Sequence, residues 1–222
     1  MSFKIDTQVK TRFPELTVLT CNMEGVKVEK TNVELEKFKN ETMKQVREKY
    51  DLESLKNVST FRAYRDFFWK VGIDPTKIRP AAEALIRRIL GGKAIPHINT
   101  SVDAYNLASI KTEIALAAFD ADKLKDNLLM RFAEKGEEFL GIGMEKPMLL
   151  QGGEIVVSDD EKLVAIYPYR DADSTKITEK TKNVMLLVCG VPGIEEKTLR
   201  DAIRVTLDYV VQFCNGEGKS RP

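Results

Sequence analysis

The chain has 222 residues, 43% hydrophobic and 31% charged, with 35 Lys+Arg against 34 Asp+Glu and a formal net charge of +1. That length and balance suffice to bury a core without disulfides or metals, and they exclude a protein drawn to nucleic acid by its overall field, though a local Lys/Arg patch could still bind RNA. No run approaches the roughly 20 apolar residues of a membrane span. No apolar N-terminal segment follows a basic one, so no secretory signal and no membrane are expected. The three cysteines, Cys21, Cys189 and Cys214, are far apart and form no C-x-x-C, which points to a reducing cytoplasm. In that setting the sequons at Asn40, Asn57 and Asn99 carry no meaning.

The first 30 residues read as strands. Residues 2–6 alternate, and residues 16–30 predict two strands turning at Glu24-Gly25. A helix follows from a T-x-x-E capping box at Thr31 and Glu34, with Leu35, Phe38, Met43, Val46 and Tyr50 at helical spacing. A second helix is predicted over residues 60–71, with Phe61, Tyr64, Phe68 and Val71 on one core-facing side and Gly72 as its stop. Pro80 opens a third, apolar at Ala81, Leu85, Ile89 and Leu90 and ended by Gly91-Gly92. Arg87 and Arg88 point away from that stripe. With Lys77, Arg79 and Lys93 they read either as a solvated face or as a grip on a phosphate backbone.

Beyond Leu90 strands dominate. Residues 128–143 alternate and turn at Glu134–Glu137; residues 154–169 form a hairpin with a tight turn at Ser158–Glu161. Residues 183–190 are a continuous apolar run, hence a buried strand. Pro192-Gly193 opens the last helix, with Leu199, Ile203, Leu207, Val210 and Cys214 along one side, and residues 217–222 read as a polar tail. Cys189 and Cys214 fit as buried small hydrophobes. The expected class is α+β, with mixed or antiparallel sheets packed with helices. A single domain is expected over 1–222: a strand and helix layer over 1–75, a core over 76–190, and a helix and tail over 191–222.

Two stretches concentrate polar groups. In the first, Asn99 or Ser101 caps a short helix, leaving Asp103 and Asn106 one turn apart on one face. These read as a cap and two buried polar groups or as binding groups. His97 is the only imidazole, which cannot by itself build a Cys/His metal site, and no cofactor is implied. It reads as a surface loop residue or a base. Asp120, Asp122 and Asp126 recur like calcium-loop ligands, but Lys125 and Arg131 stand where that loop needs Gly and Glu. The second stretch, residues 167–176, carries Arg170, Asp171 and Lys176. Arg170 and Lys176 suit a phosphate or carboxylate, while Arg170 and Asp171 also read as a local ion pair. No phosphate loop, dinucleotide fingerprint or serine-hydrolase elbow is present.

In order, the chain carries P-x-x-N-x-x-V-D-x-x-N at Pro96–Asn106, A-F-D-x-D-K-L at Ala118–Leu124, and R-x-A-x-x-G-E at Arg131–Glu137. G-E-I-V-x-x-D-D at Gly153–Asp160 and T-x-x-T-x-N-V-x-L at Thr178–Leu186 complete the series. This resembles the editing module, the B-three/B-four region, in the beta chain of bacterial-type phenylalanyl-tRNA synthetase. The resemblance covers about residues 79–190. It implies a similar α+β fold, binding of an aminoacylated tRNA 3′ end, and hydrolysis of a mischarged ester in trans. The substrate contacts it implies are Asn99, Asp103, Asn106, Arg170, Asp171 and Lys176, with Arg79, Arg87, Arg88 and Lys93 for tRNA. Three positions depart from the family pattern. Ala117 stands in place of a His, Asp171-Ala172 in place of a Gly-Gly pair, and Leu187 in place of a Glu. These departures argue against tyrosine editing by the same contacts and leave a second reading open, a non-catalytic RNA- or small-molecule-binding domain.

Overall fold

A computed structural model describes residues 2–215 and 217–219. A first strand, β1 (Phe3–Ile5), leads into a short helix, α1 (Thr7–Arg12), and a longer strand, β2 (Val18–Glu24). Four helices follow: α2 (Val33–Lys49), α3 (Ser59–Lys70), α4 (Ala81–Leu90) and α5 (Thr100–Thr112). Seven strands come next: β3 (Leu116–Asp120), β4 (Leu128–Phe132), β5 (Glu138–Phe139), β6 (Met148–Leu149), β7 (Ile155–Ser158), β8 (Leu163–Ile166) and β9 (Arg170–Asp171). The central strand β10 (Val184–Cys189), the long helix α6 (Glu196–Cys214) and an edge strand β11 (Glu217–Lys219) close the chain.

The strands form two main sheets, ordered β1-β4-β7-β8-β9 and β11-β2-β10-β3, with β5-β6 as a separate pair. Pairing is antiparallel except between β1 and β4. Every residue of β10 is buried. Period-two alternation sends Val184, Leu186 and Val188 to one side and Met185, Leu187 and Cys189 to the other. The first side joins a cluster with Leu35, Ile86, Leu107, Leu199 and Val210, which is the helical layer. The second joins Tyr64, Phe119, Met130, Val157 and Tyr167, which is the second sheet and α3. The order is therefore helices, sheet, sheet, an α+β fold. A third, smaller cluster of Phe139, Val156, Ile166 and Ala172 lies on the far side of the second sheet.

Most sequence expectations hold, and their exceptions have physical reasons. Residues 26–30 do not form a second strand. Gly25 turns at φ 68°, after which the Val26 and Lys27 N–H groups donate to Lys182 and Cys214 and Glu29 N–H to the Thr100 hydroxyl. Helix α2 is capped by Asn32, which accepts from Leu35 N–H at 3.0 Å, rather than by the Thr31 box. Pro80 is the cap of α4, not its first residue, and the buried stripe is Ala82, Ile86 and Ile89. Helix α6 starts at Glu196, three residues past Gly193. In the tail, residues 217–219 pair with β2 as β11; residues 220–222 lie outside the described residues. All three cysteines are buried and free.

Tyr64, on α3, ties the end of β10 to the start of β3. Its hydroxyl donates to the Cys189 carbonyl and accepts from Ala115 N–H at 3.0 Å, where β3 begins. Burial holds that phenol well above its ordinary pKa. Tyr64→Phe leaves both backbone groups unpaired in the interior. It is expected to lower stability by about 1–3 kcal/mol with little loss of packing, read as a lower urea midpoint at unchanged slope.

Candidate functional site

Asn99 has extended backbone and caps α5, its Oδ1 accepting from Val102 N–H at 2.9 Å. Its Nδ2 donates to the Ile177 carbonyl at 3.4 Å. The polar stretch at the start of α5 is thereby tied to the loop after β9. Three more bonds tie the end of β3 and the turn after it to the same loop: Lys123 Nζ to the Lys176 carbonyl at 3.2 Å, the Thr181 hydroxyl to Asp120 at 2.7 Å, and Asn183 Nδ2 to Asp122 at 2.8 Å. The two sequence-predicted stretches therefore meet.

Within this junction the groups differ in how far they are satisfied. Asp103 is fully buried and fully engaged. It accepts from Lys39 Nζ at 2.8 Å and from Ile98 N–H at 3.0 Å, and lies 3.1 Å from His97 Nδ1. Lys39, also buried, reaches Glu36 at 3.1 Å and the Pro96 carbonyl at 3.4 Å. Glu36, His97 and Asp103 have the spacing of metal ligands. The Lys39 ammonium is already the cation among them, bonded to both carboxylates. His97, read from sequence as a loop residue or base, is half-exposed and leans on this buried charge pair. Lys39 lies 64 residues from Asp103, and no sequence pattern pointed to it.

Asp171 is different. Its pairing with Ala165 puts its carboxylate on the side facing the inter-sheet core, while Arg170 and Ala172 face the other way. Arg170 lies along Gly141 and reaches the Ile142 carbonyl at 3.4 Å, so the expected Arg170–Asp171 ion pair is not formed. Lys176 is held by Asp173 at 2.8 and 2.9 Å. Among the described residues none hydrogen-bonds or ion-pairs with the Asp171 carboxylate. Burial pushes its pKa up to about 7. Its charge in turn helps raise the Tyr105 phenol, on α5, and the Cys189 thiol, on β10. Neither the Tyr105 hydroxyl nor the Asn106 amide bonds to another described residue. Ser101, one turn before Tyr105 on α5, keeps a fully buried hydroxyl without a partner. Tyr105 was missed as a ligand candidate because it reads as ordinary helix in sequence, and Ser101 because it reads as a helix cap.

Ala117 and Leu187 are direct register partners across β3 and β10, both in the apolar layer between the sheets. No titratable group stands at either position. Of the basic candidates, Arg79, Arg88 and Lys93 are exposed. Arg87 is not a free surface group: it donates to the buried Glu83 at 2.6 Å, and Arg65 grips the same carboxylate. Burying Glu83 without a cation would be costly, which is why Arg87 folds back. A separate cleft of about 340 Å³ lies between α3 and the loop after β10, lined by Arg62, Asp66, Lys70 and Gly193; none of the polar groups above lines it.

A family model described as the B3/4 domain matches residues 63–215. The phenylalanine–tRNA ligase beta subunit of Fusobacterium nucleatum is 34% identical over 131 residues, covering 58% of this chain and 16% of the relative. That of Ruegeria pomeroyi is 32% identical over 119 residues, covering 54% and 15%. The chain thus spans about a sixth of these relatives' length. An N-terminal fragment of the phenylalanyl-tRNA synthetase beta-subunit from Pyrococcus horikoshii superposes with a TM-score of 0.51 at 16% identity, covering 98% of this chain and 50% of the fragment, a likeness of fold.

Asp171 gives the site a pH signature. Its folded pKa, about 7, lies above the unfolded value. Its stabilising contribution is therefore fully present below the unfolded pKa of about 4 and is lost as pH rises through about 7. Wild type is expected to lose stability relative to Asp171→Asn between pH 5 and 8, by on the order of 1–2 kcal/mol once partial exposure is discounted. Urea melts of both proteins at the two pH values measure this; an unchanged difference would show the carboxylate to be ordinary.

Proposed function

The chain belongs to the B3/4 domain family, and on that premise we propose that it binds the aminoacylated 3′ end of a tRNA and hydrolyses a mischarged ester in trans. The observation that carries the reading is the meeting of the two polar stretches around α5 and β9, with Tyr105, Asn106 and Asp171 left without side-chain partners among the described residues. Unsatisfied polar groups converging at one half-buried place are what a ligand site requires. The matching relatives are named for a tRNA ligase, which supplies the substrate class.

The contacts divide into two sets. Asp171 and Asn106 face the ligand. Asn99 and Asp103 hold α5 in place, through its cap and the Lys39 pair, and Arg170 and Lys176 frame the loop on which Asp171 sits. Arg79, Arg88 and Lys93 supply exposed charge for the phosphate backbone, while Arg87 is held by Glu83. No side-chain base stands at Ala117 or Leu187. Hydrolysis would therefore run by a water held against the ester carbonyl by orientation alone, its proton passing to the departing ribose oxygen. The whole of 1–222 acts as one editing-like unit in this reading.

A second reading is favoured by the same apolar pair. Ala117 opposite Leu187 leaves that register pair with no group to activate water, which suits a domain that binds an RNA end or small molecule without hydrolysing it.

Both are tested by incubating the protein with a panel of mischarged tRNAs, beside Asp171→Gly and Asn106→Ala. Asn99→Ala is a poor probe because loss of the cap costs about 1 kcal/mol of stability by itself. The expected outcome is hydrolysis of one charged species, reduced by Asn106→Ala and shifted in preference by Asp171→Gly. Retention without hydrolysis would establish the binding domain. Neither retention nor hydrolysis would overturn both.

A further inference from the structure

The segment before β6 brings a second feature to Asp171. Residues 140–142 run antiparallel along the free edge of β9. Ile142 N–H donates to the Asp171 carbonyl at 2.9 Å, Asp173 N–H donates to Leu140 at 2.9 Å, and Gly141 pairs with Ala172. Paired residues share a face, so Gly141 lies with Ala172 and Arg170. The packing agrees: a Cβ on Gly141 would meet the Arg170 stem at 2.5 Å and the Phe139 ring at 3.0 Å. Alternation then turns Leu140 and Ile142 to the face that carries the Asp171 carboxylate. Both remain exposed, at 40% and 45%.

One face of one strand pair thus presents a carboxylate with no partner among the described residues, flanked by two bare aliphatic side chains. Either feature alone is a cost to the fold. A desolvated carboxylate lacks compensation, and exposed aliphatics gain nothing from burial. Together they match a ligand with a cationic group joined to an apolar body. The nearby cations cannot fill the role, since Arg170 faces the other side and Lys176 is committed to Asp173. A lone carboxylate is a poor seat for a divalent metal and repels phosphate. A primary ammonium is compact, carries three donors and regains at Asp171 a charge-assisted bond.

We propose that Asp171, Leu140 and Ile142 form an alkylammonium subsite, in which Asp171 takes a primary ammonium of the aminoacyl group and the two aliphatic side chains take the apolar surface joined to it. The inference rests on the reading that the chain binds an aminoacylated end. It assigns the selective contact to the amine rather than to an aromatic side chain. The ammonium has two sources, the α-amine shared by all aminoacyl esters and a second amine on the amino-acid side chain.

The test uses the full chain and non-hydrolysable 3′-aminoacylamino-3′-deoxyadenosines, titrated by calorimetry. The probes are a phenylalanyl analogue with its α-amine free or acetylated, and a lysyl analogue with only the α-amine acetylated. The expected result is that acetylating the phenylalanyl amine weakens binding at least about tenfold in wild type and has no effect in Asp171→Asn. The Leu140→Ser/Ile142→Ser variant should weaken free and acetylated probes by the same factor. If the α-acetylated lysyl probe retains wild-type affinity that Asp171→Asn loses, the side-chain amine is the source; if it binds as weakly as the acetylated phenylalanyl probe, the α-amine is. Equal binding of free and acetylated phenylalanyl probes by wild type, together with an α-acetylated lysyl probe that wild type binds no more tightly than Asp171→Asn does, overturns the subsite. Retention of uncharged tRNA on a filter is measured beside it. Retained tRNA with no amine dependence sinks the subsite and spares the broader reading, and loss of both tRNA and probe binding sinks the two together.

Discussion

The architecture depends on a strand buried on both faces. β10 lies between β2 and β3, and its six side chains alternate between the helical layer and the second sheet. Such a strand cannot slip by one residue without exchanging the two cores, so its register is strongly specified. Everything that positions the site follows from it. β3 is aligned by pairing to β10, α5 packs beside β3, and the β7-β8-β9 sheet is set against the other face.

Two sets of buried charged groups inside this frame obey one rule. Lys39 and Asp103 are buried together, and Glu83 is buried between Arg65 and Arg87. Each pair meets its desolvation cost with short, multiple bonds, and removing one partner would leave a stranded charge worth about 3–5 kcal/mol of destabilisation. Asp171 departs from it. A fold that pairs Lys39, Asp103 and Glu83 this fully and leaves the half-buried Asp171 carboxylate with no partner among the described residues is locally inconsistent there, and such inconsistencies concentrate at functional sites.

Much of the frame was legible because its signals are local. Val184–Cys189 is a continuous apolar run, Gly72 stands where α3 stops, and Asn99 was one of two capping candidates before α5. Reading failed where a distant partner decided the matter. Residues 26–30 look like a strand, yet their N–H groups go to Lys182, Cys214 and Thr100. Arg87 has the spacing of a solvated residue, yet Glu83 one turn earlier is buried and claims it. Glu217–Lys219 has the composition of a loose tail, yet the open edge of β2 recruits it.

Sequence alone determined the α+β class, the order and period of most elements, the two polar stretches and the family they resemble. All of these are written in spacing and residue type along the chain. Tertiary structure decided which polar groups are spent and which are free. Asp103 and Asp171 are the same residue type in neighbouring polar stretches. Lys39, 64 positions away, neutralises the first, whereas strand alternation turns Arg170 away from the second and turns Leu140 and Ile142 toward it. The physical reason is that a charge's role depends on its desolvation and on what lies within a few ångströms of it, and those neighbours come from parts of the chain that only folding brings together.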